Sequence, residues 1–160
     1  MTDLKTLYER DFAAWSKHQA EALRAAARGT SNQPLDWENL AEEIEDLGIS
    51  QRSALRSQIM RIIQHLVKLE HSPSVEPRNG WRRTIRLARL QAQKRIEDNP
   101  SLKPELSRFV ATETRRGIEL AIADLEEHGE IDELDANVIR RTAYTEEQVM
   151  GDWFPEEPAK

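Results

Sequence analysis

Apolar residues recur along this chain at helical rather than strand spacing. Leu7, Tyr8, Phe12, Trp15, Ala22, Leu23 and Ala26 fall mostly on one face of a 3.6-residue period, which predicts a first helix over residues 4 to 27, ended by Gly29. GTSNQP, residues 29 to 34, then reads as a loop, with Pro34 biasing Gln33 toward an extended conformation. Asp36 is placed to cap a second helix in which Trp37, Leu40, Ala41, Ile44 and Leu47 form one stripe, with Gly48 the expected stop. Ser50 is expected to cap a third helix that turns Leu55, Ile59, Ile62, Ile63, Leu66 and Leu69 toward the core and closes near HSPSVEP, residues 71 to 77. So short a connection between the second and third helices predicts an antiparallel hairpin.

A fourth helix, over residues 79 to 99, places Trp81, Ile85, Ala88, Ala92 and Ile96 inward. NPSLKPEL, residues 99 to 106, interrupts the chain, with Ser101 the expected cap of a fifth helix and Pro104 tolerable in its first turn. That helix reaches roughly residue 127, with Leu106, Phe109, Val110, Gly117, Leu120, Ala121 and Leu125 as its apolar face. HGEIDELDAN, residues 128 to 137, is a weakly patterned junction with room for a loop and a short helix. Thr145 is placed to cap a last turn through Val149, and GDWFPEEPAK closes the chain in an aromatic and proline anchor, with residues 155 to 160 expected to fray. No segment alternates as a strand would, and no repeat is present. The expected fold is all-α: an irregular bundle of four to five main helices with short terminal helices, forming a single domain over residues 1 to 160.

Composition agrees with that picture. A chain of 160 residues can bury roughly two-thirds of the surface its unfolded form exposes, and 6 Gly and 7 Pro beside 32% charged residues are the economy of a helical protein. The chain has no cysteine, which closes disulfide frameworks, thiolate metal sites and cysteine nucleophiles. MTDLKTLYERDF carries three acids and no apolar leader core, and no stretch approaches a membrane span in length, so the expectation is a soluble cytoplasmic chain with no membrane contact.

Charge is segregated more sharply than the net −6 suggests: +1 over residues 1 to 35, −6 over 36 to 48, +9 over 49 to 95 and −10 over 96 to 160. Opposite blocks within one fold can neutralise each other, which accounts for the basic centre without a nucleic acid. DWENLAEEIEDLG, residues 36 to 48, holds six carboxylates and no base. At about 100° per residue Glu38 and Glu45 flank one side of the apolar stripe and Asp36 and Glu43 the other, while Glu42 and Asp46 face away. They do not converge on one another, so a metal would need ligands from a neighbouring helix. Glu42-x-x-Glu45 resembles the first half of the paired acidic motifs by which all-α nucleotide pyrophosphatases hold magnesium, but the second half, Glu-x-x-Asp on the next helix, is missing.

In WRRTIRLARLQAQKR, residues 81 to 95, Arg82, Arg86 and Arg89 recur at i, i+4 and i+7 beside the apolar stripe. Such a row can track phosphates or form bidentate pairs with Glu38, Glu43 and Glu45, and overall acidity favours the pairs. His65 sits at the edge of the third helix's stripe, and the four histidines lack the spacing of a carboxylate-bridged di-metal bundle. Glu38, Glu43, Glu45, His65, Arg82, Arg86 and Arg89 form the candidate polar cluster, with Trp153 and Phe154 a candidate interface or strap. No cofactor or metal is expected.

YERDFAAW, DWENLAEEIEDLG, HLVKLEHSP, WRRTIRLARLQ, NPSL and DWFP occur in an order that resembles the bacterial family known as domain of unknown function number 29. The resemblance spans nearly the whole chain and implies an all-helical cytoplasmic domain; it implies no reaction and no catalytic residues. The segment HGEIDELDANVIRRTAYTEEQ, residues 128 to 148, departs from the family's more apolar, proline-marked approach to the end. The leading expectation is a non-catalytic helical interaction or regulatory module with a protein partner or a second copy of itself. A metal-dependent enzyme acting on a phosphate-bearing small molecule through the acids of residues 36 to 48, and a nucleic-acid binder using the arginine row, are the alternatives.

Overall fold

The computed structural model describes residues 3–29 and 36–157, over which the chain is helical with no strand. The elements are α1 (Leu4–Arg10), α2 (Phe12–Ala27), α3 (Trp37–His71), α4 (Arg78–Asp98), a 3₁₀ helix (Pro100–Glu105), α5 (Leu106–Glu127), α6 (Glu133–Ile139) and α7 (Glu146–Met150). The all-α expectation holds, with α2 to α5 as main helices and α1, α6 and α7 as short ones. The chain divides into two compact units, one drawn from Met1–Leu55 and Lys94–Pro104, the other from Arg56–Gln93 and Glu105–Lys160. The loop expected around Pro34 lies outside the described residues.

In the first unit the single helix expected over residues 4 to 27 is corrected to two. Asp11 leaves helical geometry at φ −154° and ψ 88°; its backbone N–H closes α1 on the Leu7 carbonyl, and its side chain caps α2 by accepting from the Ala14 N–H at 2.9 Å. The carboxylate is buried, and it also accepts the backbone N–H and hydroxyl of Ser101, the charge-assisted donors a buried anion requires. Ser101 is therefore Asp11's partner rather than the cap of the fifth helix; α5 begins after Glu105 with no side-chain cap. Asn99 completes this clasp, accepting the Ala13 N–H at 2.9 Å and donating to the Arg95 carbonyl at 3.0 Å.

The stop at Gly48, the cap at Ser50 and the hairpin between them are corrected to a continuous 35-residue α3. Glycine inside a helix costs about 1 kcal/mol relative to alanine, and here the missing side chain is used. A Cβ on Gly48 would lie 2.1 Å from Ser16 Oγ and 3.2 Å from the Ala13 carbonyl, so α2 packs against α3 where only glycine leaves room. Ala41, Gly48 and Leu55 form the buried line of this part of α3, which rotates Leu40 and Leu47 out of the expected core stripe and leaves them exposed.

The second unit follows its apolar pattern closely. Ile59, Ile62, Ile63, Leu66 and Leu69 of α3 are fully buried, as are Ile85, Ala88 and Ala92 of α4. On α5 Leu106, Phe109, Val110, Ala121 and Leu125 are buried as expected, but Leu120 is exposed and Ile118 and Ile122 take the inward places. Gly117 permits the contact with α3, where a Cβ would stand 2.8 Å from Ile63 Cγ2. The 128 to 148 segment resolves into α6 and α7, each opened by a capping box, Asp132 with Asp135 and Thr145 with Gln148.

Candidate functional site

The acidic stretch is dispersed by the helix that carries it. Asp36 is spent on the N-terminus of α3, accepting the Asn39 N–H at 3.2 Å and its side-chain amide at 2.6 Å. Glu38 and Glu45 meet Arg24 of α2 at 3.2 and 2.7 Å, hydrogen bonds that raise the guanidinium pKa above its ordinary value. Arg24, a residue outside the sequence-derived cluster, is thus their partner instead of the expected Arg86 and Arg89. Glu42, Glu43 and Asp46 are exposed on the outer side of α3. Among the described residues no three histidine, aspartate or glutamate side chains are grouped to hold a metal ion.

The arginine row of α4 serves the end of the chain. Arg89 is buried, and its guanidinium donates to the carbonyls of Val149 at 2.9 Å, Gln148 at 2.8 Å and Trp153 at 2.6 Å, satisfying the last carbonyls of α7. Burial lowers its pKa. Phe154 lies half-buried under the row, with the guanidinium carbons of Arg82, Arg86 and Arg89 at 6.0, 5.3 and 4.9 Å from its ring centroid. Arg82 also pairs with Glu157 at 3.1 Å, and Trp153 tilts against Tyr144 at 6.1 Å. Contacts therefore continue through Glu157, and Pro155 is buried. Arg78, at the start of α4, does for α3 what Arg89 does for α7, donating to the Leu69 and Ser72 carbonyls at 2.6 and 3.3 Å.

His65 is half-buried; its Nδ1–H donates to the Arg61 carbonyl at 2.9 Å, and burial chiefly lowers its pKa. One turn on, Lys68 reaches into a cavity of about 330 Å³, where it pairs with Asp124 at 3.1 Å and lies 4.9 Å from the centre of the Trp81 ring. Asp124 also accepts from Gln64 at 2.9 Å, Glu130 accepts the hydroxyls of Ser72 and Ser74, and His128 bonds the Asp124 carbonyl. Lys68 with Asp124 fastens the end of α5 to α3, and Glu130 with Ser72 and Ser74 fastens the turn after α5 to the loop after α3. A further carboxylate, Glu113 of α5, is buried and is held by Arg56 at 2.6 Å and Arg116 at 3.1 Å.

The opposite side of α4 is a different surface. Arg83, Leu87, Leu90 and Lys94 follow one another at steps of four, three and four residues, which keeps them on one face, and all are exposed. Leu87 retains 55% and Leu90 65% of its accessible surface. Both leucines stood in plain view off the inward line of Ile85, Ala88 and Ala92, and that displacement was the signal available in the sequence.

The described residues define an all-helical fold in which Asp11, Arg78 and Arg89 are engaged at the chain's own helix ends. The chain belongs to the family described as "Domain of unknown function DUF29", whose model matches residues 7–154. Its fold is similar to the crystal structure of an alpha-helical protein of unknown function from Rhodospirillum rubrum, with a TM-score of 0.69 and 24% identity over 92% of this chain and 98% of that one. No curated protein matches the chain. None of the helices, among the described residues, is long and apolar enough to cross a membrane.

Proposed function

We propose that the chain is a non-catalytic, cytoplasmic helical interaction module that presents the outward face of α4 to a protein partner. One observation carries this reading: Leu87 and Leu90 are exposed side by side at helical spacing between Arg83 and Lys94, on a helix whose other side is filled by core and strap. Two exposed leucines in register on one helix are the anchor pattern of helix-to-helix recognition. The engagement of Arg82, Arg86 and Arg89 with Phe154, Glu157 and backbone carbonyls supports this reading over a phosphate-tracking row.

A photo-crosslinking amino acid placed at Leu90 tests it in living cells, with Lys17, an exposed position on α2, as control. A discrete protein adduct is expected from position 90, absent from position 17 and abolished by Leu87→Glu. No adduct at 90, or the same pattern from both positions, would overturn the reading.

A further inference from the structure

Two arginine pairs, each beside a threonine, stand out in the acidic stretch of residues 96 to 160: Thr114-Arg115-Arg116 on α5 and Arg140-Arg141-Thr142 after α6. The fold brings part of each to one recess. Thr114 and Ile118, and beside them Arg115 and Glu119, are each one helical turn apart on α5. Across from them Arg140 is the C-cap of α6, and the Thr142 N–H bonds the carbonyl of the buried Ile139 at 2.9 Å, which fixes the turn. The recess between these segments has a volume of about 470 Å³, within the size range of small-molecule sites.

Its lining has donors to spare. Glu119 accepts the Arg140 Nε–H at 2.9 Å and an Nη2–H at 3.3 Å, and Asn137 accepts an Nη1–H at 3.2 Å. The guanidinium is thereby held in place while part of its five-donor fork stays unused. Arg115 and the hydroxyl of Thr142 make no hydrogen bond among the described residues. Thr114 gives its hydroxyl proton to the Val110 carbonyl at 2.6 Å, which leaves its oxygen as an acceptor. Ile118 and Ala111 supply apolar wall. Two guanidinium groups against the single carboxylate of Glu119 leave the lining with an excess of positive charge. Glu126 and Glu133 act on Arg140 only from outside it.

A carboxylate is satisfied by one guanidinium, whereas a phosphate monoester brings three acceptor oxygens and up to two negative charges. Open donors on three side chains, Arg115, Arg140 and Thr142, suit the second. A bare phosphate would fill only a fraction of the recess, and the acceptors left over, on Thr114 and Glu119, call for hydroxyl groups. We propose that this recess binds a small phosphorylated sugar, with its phosphate among Arg115, Arg140 and Thr142 and a sugar hydroxyl on Thr114 or Glu119. The site shares no residue with the α4 face, and it stands or falls apart from the interaction reading.

Nuclear magnetic resonance titration of the isotope-labelled full chain at low salt tests the proposal, with glucose 6-phosphate as probe and glucose and inorganic phosphate as its two halves. Saturable amide shifts confined to residues 111–119 and 139–142 are expected from glucose 6-phosphate, with a dissociation constant of about 1 mM or below. Arg115→Gln should weaken binding about tenfold and Thr142→Val about threefold, the loss of one charged and one neutral donor. Arg108→Gln, at an exposed arginine of α5 outside the lining, should leave it unchanged. Circular dichroism verifies that each variant folds. No saturable shift by about 10 mM probe, or equal weakening by Arg108→Gln and Arg115→Gln, overturns the site. Inorganic phosphate binding as tightly as glucose 6-phosphate overturns the sugar, and glucose binding as tightly overturns the phosphate.

Discussion

At Gly48 one methyl group would act in two opposing directions. Alanine would favour the helix by about 1 kcal/mol, since glycine is the poorer helix former. Against that, its Cβ would overlap Ser16 Oγ and crowd the Ala13 carbonyl, and overpacking of this kind costs about 1–3 kcal/mol. Ser16 is itself buried and donates to Ala13, so it has little room to yield. Gly48→Ala is therefore expected to lower stability by about 1–2 kcal/mol, whereas Gly80→Ala, with open space around its Cβ, should raise it by about 0.5 kcal/mol. Urea denaturation of the two variants decides the matter. Adding Ser16→Ala to Gly48→Ala should recover part of the loss, as coupling between touching residues requires. Equal stability of the two glycine variants would refute the packing account.

At the scale of elements, α4 shows how a basic helix can be built for internal use. Arg89 reaches three buried or half-buried carbonyls at once with a planar fork, a geometry that a single ammonium does not reproduce. Arg89→Met leaves those acceptors without their donor and is expected to cost about 2–4 kcal/mol, with Arg89→Lys recovering only part. Hydrogen exchange should show the loss concentrated in residues 144 to 157; uniform loosening of the chain would contradict a local strap. The row of arginines was legible in the sequence, yet its partner was not, because nothing in periodicity says that Phe154 and Glu157 return to α4. The helices themselves could be read from stripes such as Ile59 to Leu69, and the caps at Asp36 and Thr145 from short-range chemistry. Gly48, Asp11 and Arg24 could not, since each takes its role from a residue distant in sequence: Ser16, Ser101, and Glu38 with Glu45. The same limit misplaced Leu40 and Leu47, whose burial depended on where α3 rests on α2.

For the molecule as a whole, the pH dependence of stability follows from groups on its two flanks of titration. His65 and His71 have folded pKa values below the ordinary 6.5, in both cases chiefly through burial. At His65 the hydrogen bond to the Arg61 carbonyl opposes the effect of burial, the charges of Lys68 and Arg61 add to it and Asp124 opposes it; Glu70 and Asp135 oppose it at His71, whose Nε2 has no hydrogen-bond partner among the described residues. With the folded value depressed, the unfolded chain binds more protons below pH 6.5, so stability is full above that value and falls as the pH drops toward the folded pKa values. Tyr144 acts with the opposite sign. Burial and the hydrogen bond to Glu70 at 2.7 Å raise its pKa above the ordinary 10.0, so the unfolded chain ionises first and stability is lost as the pH climbs past 10. Melting temperatures should accordingly form a plateau bounded near these two ordinary values. His65→Gln should flatten the slope below pH 6.5 and leave the alkaline limb alone. Tyr144→Phe should lower stability across the plateau, since Glu70 loses its donor, while removing the part of the alkaline slope that belongs to the phenol. If His65→Gln kept the full acid slope, His71 would have to supply it, and a His65→Gln/His71→Gln double variant with an unchanged slope would refute the histidine account.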